Sequence, residues 1–192
     1  MQRRHFLITP PALTLGTAAG VLGTLASPAM AAPGIISSQS PILPRKGKGP
    51  RIVICGGGWG GMTAARYLRE LIPNSDVVLL ERNATFWSGP MSNKWLVDQV
   101  ETQFLTHDYL AVSEKYDYRF IQTEILEIER DRKTVITAAG SLPYDSLILA
   151  PGIRYNYEAW FANDRRMAEA TRARFPAAYI PNAEHFHLKN AL

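Results

Sequence analysis

RIVICGGGWGGMTAARYLRELIPNSDVVLLE, residues 51–81, decides how the rest of this chain is read. Arg51 to Cys55 is a short β-branched run that stops at Gly56-Gly57-Gly58. Gly56, Gly58 and Gly61 stand in the G-x-G-x-x-G spacing, with Ala65 four residues beyond. From Gly61 to Leu71 the residues favour helix, with Ala64, Ala65, Leu68, Leu71 and Ile72 at spacings of three and four. Pro73-Asn74-Ser75 breaks that helix, and Val77 to Leu80 is a second apolar strand ending in Glu81. Strand, glycine turn, helix, turn, strand and a terminal acid make a dinucleotide-binding βαβ unit.

Each part has a physical task. The first glycine permits a tight turn, the second lets a pyrophosphate approach the backbone, and the third lets helix and strand pack closely. Gly56, Gly58, Trp59, Gly60 and Gly61 therefore form the expected pyrophosphate cradle, where unpaired N–H groups and the helix dipole favour an anion. Glu81 lies 20 positions after Gly61, where a carboxylate can accept hydrogen bonds from ribose hydroxyls. A glycine turn alone is a weak signal. Here the flanking strands, the helix, Ala65 and the acid agree, and the expected class is α/β, a Rossmann-like domain on a parallel sheet.

The 192 residues suffice for one domain. Hydrophobic residues make up 46% and charged residues 20%, as in globular proteins generally. Without Arg3 and Arg4, the 21 basic residues become 19 against 17 acidic ones, which is no footprint for nucleic acid. Cys55 is the only cysteine, so neither an internal disulfide nor a cysteine metal cluster is possible, and no C-x-x-C-H motif for c-type haem occurs. At a strand end, Cys55 reads as a small buried hydrophobe.

Residues 1–31 read as an export signal, with Arg3-Arg4 as a twin-arginine region, an uncharged stretch from Leu7 to Ala26, and Ala29-Met30-Ala31 as a cleavage site. Pro10, Pro11, Gly16, Gly20 and Gly23 make it a poor spanning helix, so no stable membrane anchor and a periplasmic destination are expected. Residues 32–50, rich in Pro, Ser, Gly and Lys, read as a linker.

Beyond Arg82, residues 83–100 read as a loop entering a helix capped at Ser92-Asn93. Phe86, Trp87 and Trp95 suit either the core or a cofactor wall, with core the expected role. Thr106 is expected to cap a helix running to Lys115, and Tyr118 to Thr123 reads as a strand. Residues 124–129 and 133–138 alternate polar and apolar, Ala139-Gly140-Ser141 reads as a turn, and Tyr144 to Ala150 as an apolar strand ending at Pro151-Gly152. This is a β-meander, not another βα repeat. The charges of residues 124–133 read as a solvated hairpin edge.

Val77–Glu81, the meander and YDSLILAPG at 144–152 resemble the FAD half of the two-dinucleotide-domain flavoprotein disulfide reductase superfamily. Within it, TFWSGPMSNKWL at 85–96 and the run from Ala150 are similar to the flavoproteins of flavocytochrome c sulfide dehydrogenase. That resemblance implies FAD, with Gly56, Gly58, Trp59, Gly60 and Gly61 on the pyrophosphate and Glu81 and Arg82 at the ribose. It also implies Ser92 and Asn93 at the cofactor, and backbone of Ile125, Ala150 and Gly152 against the nucleotide. It implies electron flow from a small inorganic sulfur substrate to a c-type cytochrome subunit. Two departures matter. Members with covalently tethered FAD carry cysteine where this chain has Gly89, so noncovalent FAD is expected here. Family members also carry a redox-active cysteine pair that this sequence lacks, so no residue is assigned to sulfide chemistry.

The expected boundaries are the signal at 1–31, the linker at 32–50, the FAD half-domain at 51–152, and the start of a following segment at 153–192, read as truncated. The alternatives are another flavoenzyme, such as an NADH:quinone or ferredoxin-type reductase, and an inactive fragment. His185 and His187 have no carboxylate or cysteine companion at ligand spacing, and surface histidines without metal are expected. No nucleophile elbow supports hydrolysis.

Overall fold

The computed structural model describes residues 41–180 and 183–192. The export signal expected over 1–31 and the linker up to residue 40 lie outside the described residues. Among those described, no helix is long and apolar enough to cross a membrane.

The βαβ unit forms as expected. Strand β1 (Arg51–Cys55) leads through the glycines into helix α1 (Trp59–Leu71), and strand β2 (Asp76–Glu81) returns parallel to β1 with Val53 opposite Val78. Strand β3 (Thr85–Trp87) and strand β4 (Thr106–Asp108) form a separate antiparallel pair with Phe86 opposite His107, and the short helices α2 (Ser92–Leu96) and α3 (Thr102–Leu105) lie between them. Helix α4 (Tyr109–Lys115) then leads to strand β5 (Arg119–Gln122), parallel to β2. The meander follows as β6 (Ile125–Glu129), β7 (Thr134–Thr137) and β8 (Gly140–Pro143), and β9 (Ser146–Leu149) joins β1 in parallel. The main sheet has the order β5-β2-β1-β9.

Both faces of this sheet are covered, which is why β1 and most of β2 read as unbroken apolar runs. Ile54, Val77 and Leu79 point to one face with Ala65 of α1 and Tyr109 of α4. Val53, Cys55, Val78 and Leu80 point to the other, against Val135 and Leu142 of the meander. Each such side chain contributes about 1.5–3 kcal/mol when fully buried. Burial also pushes the Cys55 thiol up to about 11, so it is an inert hydrophobe at neutral pH, as expected.

Three local expectations are corrected. The helix near residue 106 starts later: Thr106 lies in β4, and Asp108 caps α4 by accepting the Ala111 N–H. Ser92 is the first helical residue, not a cap; the capping position is Met91, at φ 71°, with no side-chain bond. The third meander strand is Gly140–Pro143, while the apolar run after it belongs to the parallel sheet. The chain turns back tightly there because Gly140 takes φ +135°, open to glycine, and Thr137 donates its hydroxyl to the Gly140 carbonyl.

The remaining chain forms a turn of 3-10 helix (Tyr157–Phe161), helix α5 (Arg165–Arg174), capped by Asp164, and helix α6 (Ala183–Ala191). His185 and His187 lie on α6 and not on a strand. His185 is fully buried, 5.3 Å from Trp87 and 5.5 Å from Trp95 between ring centroids, so it is no surface histidine. Among the described residues no cluster of three potential metal ligands occurs.

Charges brace the amino-terminal ends of the parallel strands. Arg119 of β5 donates to Asp76 of β2, Arg51 Nε of β1 donates to the same carboxylate at 2.8 Å, and the Arg51 N–H donates to Asp145, just before β9, at 2.6 Å. Positive and negative groups thus alternate across the sheet, and Arg51 and Asp76 are each only 1% exposed. Residues 41–50 are drawn in as well. The Lys46 N–H donates to Asp76, Arg45 pairs with Asp145, and Ile42 and Leu43 pack on the core.

Burial opposes ionisation of Asp76, but Arg51, the Lys46 N–H and Arg119 outweigh it and lower its pKa; Arg45 and the Arg51 N–H hold Asp145 at about 2. A depressed carboxylate pKa contributes stability that is full above the unfolded value, near 3.9, and is lost as pH falls through the folded one. The urea midpoint should therefore hold near neutrality and drop between about pH 4 and pH 2. Asp76→Ala, which leaves Arg51 buried and unpaired, should cost about 3–5 kcal/mol in urea unfolding at pH 7.

Candidate functional site

The glycines differ in what surrounds them. Gly56 has φ +107°, and a Cβ there would lie 2.2 Å from the Ala150 carbonyl oxygen. A Cβ on Gly61 would lie 1.9 Å from the Gly56 carbonyl oxygen, so the third glycine is the point where α1 rests on the end of β1. Gly58 is the opposite case. Its backbone is ordinary (φ −66°, ψ −172°), yet a Cβ there would meet nothing within 4 Å. Gly58 also precedes α1, whose first turn has neither a side-chain cap nor an acidic residue. An uncapped helix start beside open space is a place for an anion.

That space is a cleft of about 1450 Å³ at the carboxyl-terminal ends of β1, β2 and β9, the position where open α/β sheets bind ligands. Gly56, Gly58, Trp59, Glu81, Arg82, Ser92, Asn93, Ile125, Ala150 and Gly152 all line it, although they come from five separate stretches of sequence. Gly60 and Gly61 do not: Gly60 is exposed on α1, and Gly61 is packed against Gly56. Glu81 ends β2 with its carboxylate at the glycine turn. It accepts the Gly57 N–H at 2.9 Å through one oxygen, and the Asn83 backbone and side-chain N–H groups at 3.0 and 2.7 Å through the other. Phe86 and Trp87 pack in aromatic clusters and also line the cleft, beyond the core role expected for them, whereas Trp95 is core alone, 3% exposed.

Several residues of the site were not foreseen. Tyr109 is buried beneath the turn and donates its hydroxyl to the Gly57 carbonyl at 2.8 Å; burial, then nearby Glu81, push its pKa up, so it remains a donor. Asp108, a good capping residue, is the sequence signal that places Tyr109 at the start of α4. Tyr155 closes another part of the cleft, its hydroxyl oxygen accepting the N–H groups of Tyr179 and Ile180 at 2.7 and 2.6 Å. Arg154 and Thr123 also line the cleft.

The donor set fits a dinucleotide. It combines backbone N–H groups at an uncapped helix start, open space over the middle glycine, a carboxylate 20 residues after the last glycine and an apolar wall at Phe86 and Trp87. The volume exceeds the roughly 300–1,000 Å³ of ordinary small-molecule sites. Fold and cleft together define a Rossmann-like, dinucleotide-binding type of fold. The chain belongs to the family described as Pyridine nucleotide-disulphide oxidoreductase, whose pattern matches residues 50–175.

Among its relatives is the sulfide dehydrogenase [flavocytochrome c] flavoprotein chain of Chlorobaculum thiosulfatiphilum, 46% identical over 43 residues, which are 22% of this chain and 90% of that sequence. The type II NADH:quinone oxidoreductase of Haemophilus influenzae is 28% identical over 120 residues, 55% of this chain and 27% of its own. The structure of sulfide:quinone oxidoreductase from Aquifex aeolicus superposes with a TM-score of 0.54 at 22% identity, covering 66% of this chain and 33% of that one, a likeness of fold. The chain thus spans about a quarter to a third of these two longer relatives.

The steric contrast within the turn is testable. Gly61→Ala drives Cβ into backbone and should abolish the folded state or lower its stability by more than about 2 kcal/mol. Gly60→Ala meets only Ala150 Cβ, at 3.8 Å, and should be neutral or stabilise α1 by up to about 1 kcal/mol. Thermal unfolding by circular dichroism measures both.

Proposed function

We propose that this chain carries the FAD-binding part of an exported oxidoreductase of the sulfide dehydrogenase type, which passes electrons from sulfide through flavin to a c-type cytochrome subunit. The observation that carries the reading is the turn at Gly58, open to the cleft beside Glu81. The likeness to the Chlorobaculum flavoprotein chain supports the sulfide type. The signal at 1–31 would direct the protein through the twin-arginine route to the periplasm. Residues 32–50 would lead into the half-domain at 51–152, and 153–192 would begin the next segment.

FAD, when bound, supplies the redox chemistry, accepting an electron pair and releasing electrons singly. The protein's part is to hold and surround it. The N–H groups at Gly58 and Trp59 would meet the pyrophosphate, since that helix start is uncapped. Glu81 would accept ribose hydroxyls, with Arg82 beside it at the cleft rim. Backbone at Ile125, Ala150 and Gly152 would face the nucleotide, and Ser92 and Asn93 would lie against the cofactor beside Trp87. The aromatic wall would exclude water from that part of the cleft. Gly89 lines the same cleft and carries no nucleophile, so the cofactor would be held noncovalently.

A second reading, an NADH:quinone type of flavoenzyme, draws on the likeness to the Haemophilus protein. Anaerobic mixing of the flavin-loaded protein with sulfide or with NADH separates the two. Bleaching of the flavin absorbance by sulfide favours the first, and bleaching by NADH alone favours the second.

The purified chain should show flavin absorption bands that pass to the supernatant on acid precipitation. Gly58→Glu should keep the fold, because the side chain has room and a carboxylate suits a helix start. It should nonetheless retain no flavin, because that carboxylate occupies and repels the place of the pyrophosphate. Wild-type flavin content in the variant would refute the assignment of this turn.

A further inference from the structure

Gly57 is held from both sides by side chains of other elements. Its N–H donates to Glu81, and its carbonyl accepts the Tyr109 hydroxyl at 2.8 Å. A Cβ on Gly57 would lie 2.6 Å from the Tyr109 ring, so ring and turn are in direct contact. Tyr109 itself has little freedom. It is 3% exposed, stacks on Phe120 with centroids 5.1 Å apart, and donates its backbone N–H to Ala84 at 3.3 Å. The same wall reaches the turn a second time, where Phe86 meets Trp59 edge to face at 5.4 Å.

The Gly57 carbonyl and the Gly58 N–H belong to one peptide group, which is trans and planar, so they point in opposite directions. Tyr109 draws that carbonyl into the core. The Gly58 N–H must then face away from the core, and a Cβ on Gly58 would meet nothing within 4 Å. Without the hydroxyl, a glycine-glycine peptide has little to stop it rotating.

We propose that Tyr109 is a positioning residue for the dinucleotide: its hydroxyl fixes the Gly57–Gly58 peptide so that the Gly58 N–H is presented to the cleft. The inference rests on the reading of the cleft as an FAD site and adds the residue that pre-organises its anion donor. Pre-organisation matters because a donor already aimed at its ligand loses no entropy on binding.

The test is Tyr109→Phe, which keeps the ring and its stacking and removes only the hydroxyl, with FAD affinity measured by fluorescence titration of the cofactor-free full chain. The expected result is about tenfold weaker binding, the loss of roughly one buried hydrogen bond. Amide hydrogen exchange at Gly57 and Gly58 should be faster in the ligand-free variant. A purely structural role would lower the unfolding midpoint and leave the affinity of the folded molecules unchanged. A second variant, Gly57→Ala, keeps the hydroxyl but pushes the ring aside, and should weaken FAD binding too, less so when combined with Tyr109→Leu. Wild-type affinity in folded Tyr109→Phe, or in folded Gly57→Ala should the first variant not fold, overturns the inference alone if Gly58→Glu still loses FAD. Failure of the wild-type chain itself to take up FAD overturns the functional reading and this inference together.

Discussion

Three segments of backbone meet at Gly56, and the rest of the site depends on that meeting. The end of β1, the start of α1 and the end of β9 approach so closely that neither Gly56 nor Gly61 has room for a Cβ. Gly56 also takes φ +107°, which an L side chain resists. Because α1 can settle so near the strand, its amino end lies at the carboxyl edge of the sheet. Its unpaired N–H groups then border a cleft. A bulkier residue at either position would push helix and strand apart and separate the uncapped start of α1 from Glu81.

The two ends of the parallel sheet are built differently. At the amino-terminal end, charged groups from four neighbouring strands or their entries alternate as Arg119, Asp76, Arg51 and Asp145. Buried pairs of this kind add little net stability over apolar packing, but breaking one is costly, so they define which strand lies beside which. At the carboxyl-terminal end, glycines and backbone groups dominate, and the space is left open. Rigidity at one edge and access at the other is the arrangement that a ligand-binding parallel sheet requires.

The insertion between β2 and α4 links the cleft wall to its floor. Thr85–Trp87 and Thr106–Asp108 pair with each other and not with the main sheet, so their place depends on side-chain contacts. Phe86 touches Trp59 and Tyr109, and Tyr109 holds Gly57. Wall and glycine turn are therefore one packed unit. Trp87, Trp95, Phe186 and the buried His185 form a second cluster that anchors α6 beside the wall.

Much of this was legible in the sequence. The β1–α1–β2 unit, the spacing from Gly61 to Glu81 and the inert burial of Cys55 follow from local pattern, because glycine sterics, helical period and apolar runs act over a few residues. The short strands Thr85–Trp87 and Gly140–Pro143 were not legible, since a strand of three or four residues has too little period to read and is defined by its partner. His185 illustrates the same limit: nothing in its neighbours along the chain shows that two tryptophans will enclose it. The sequence by itself determined that the strand, glycine turn and helix of a Rossmann-like unit would form and which residues they would contain. Only the tertiary structure decided that Gly60 and Gly61 stand outside the cleft and that Tyr109 stands beneath it. Contacts between residues 52 apart depend on how elements pack, and no local propensity encodes them.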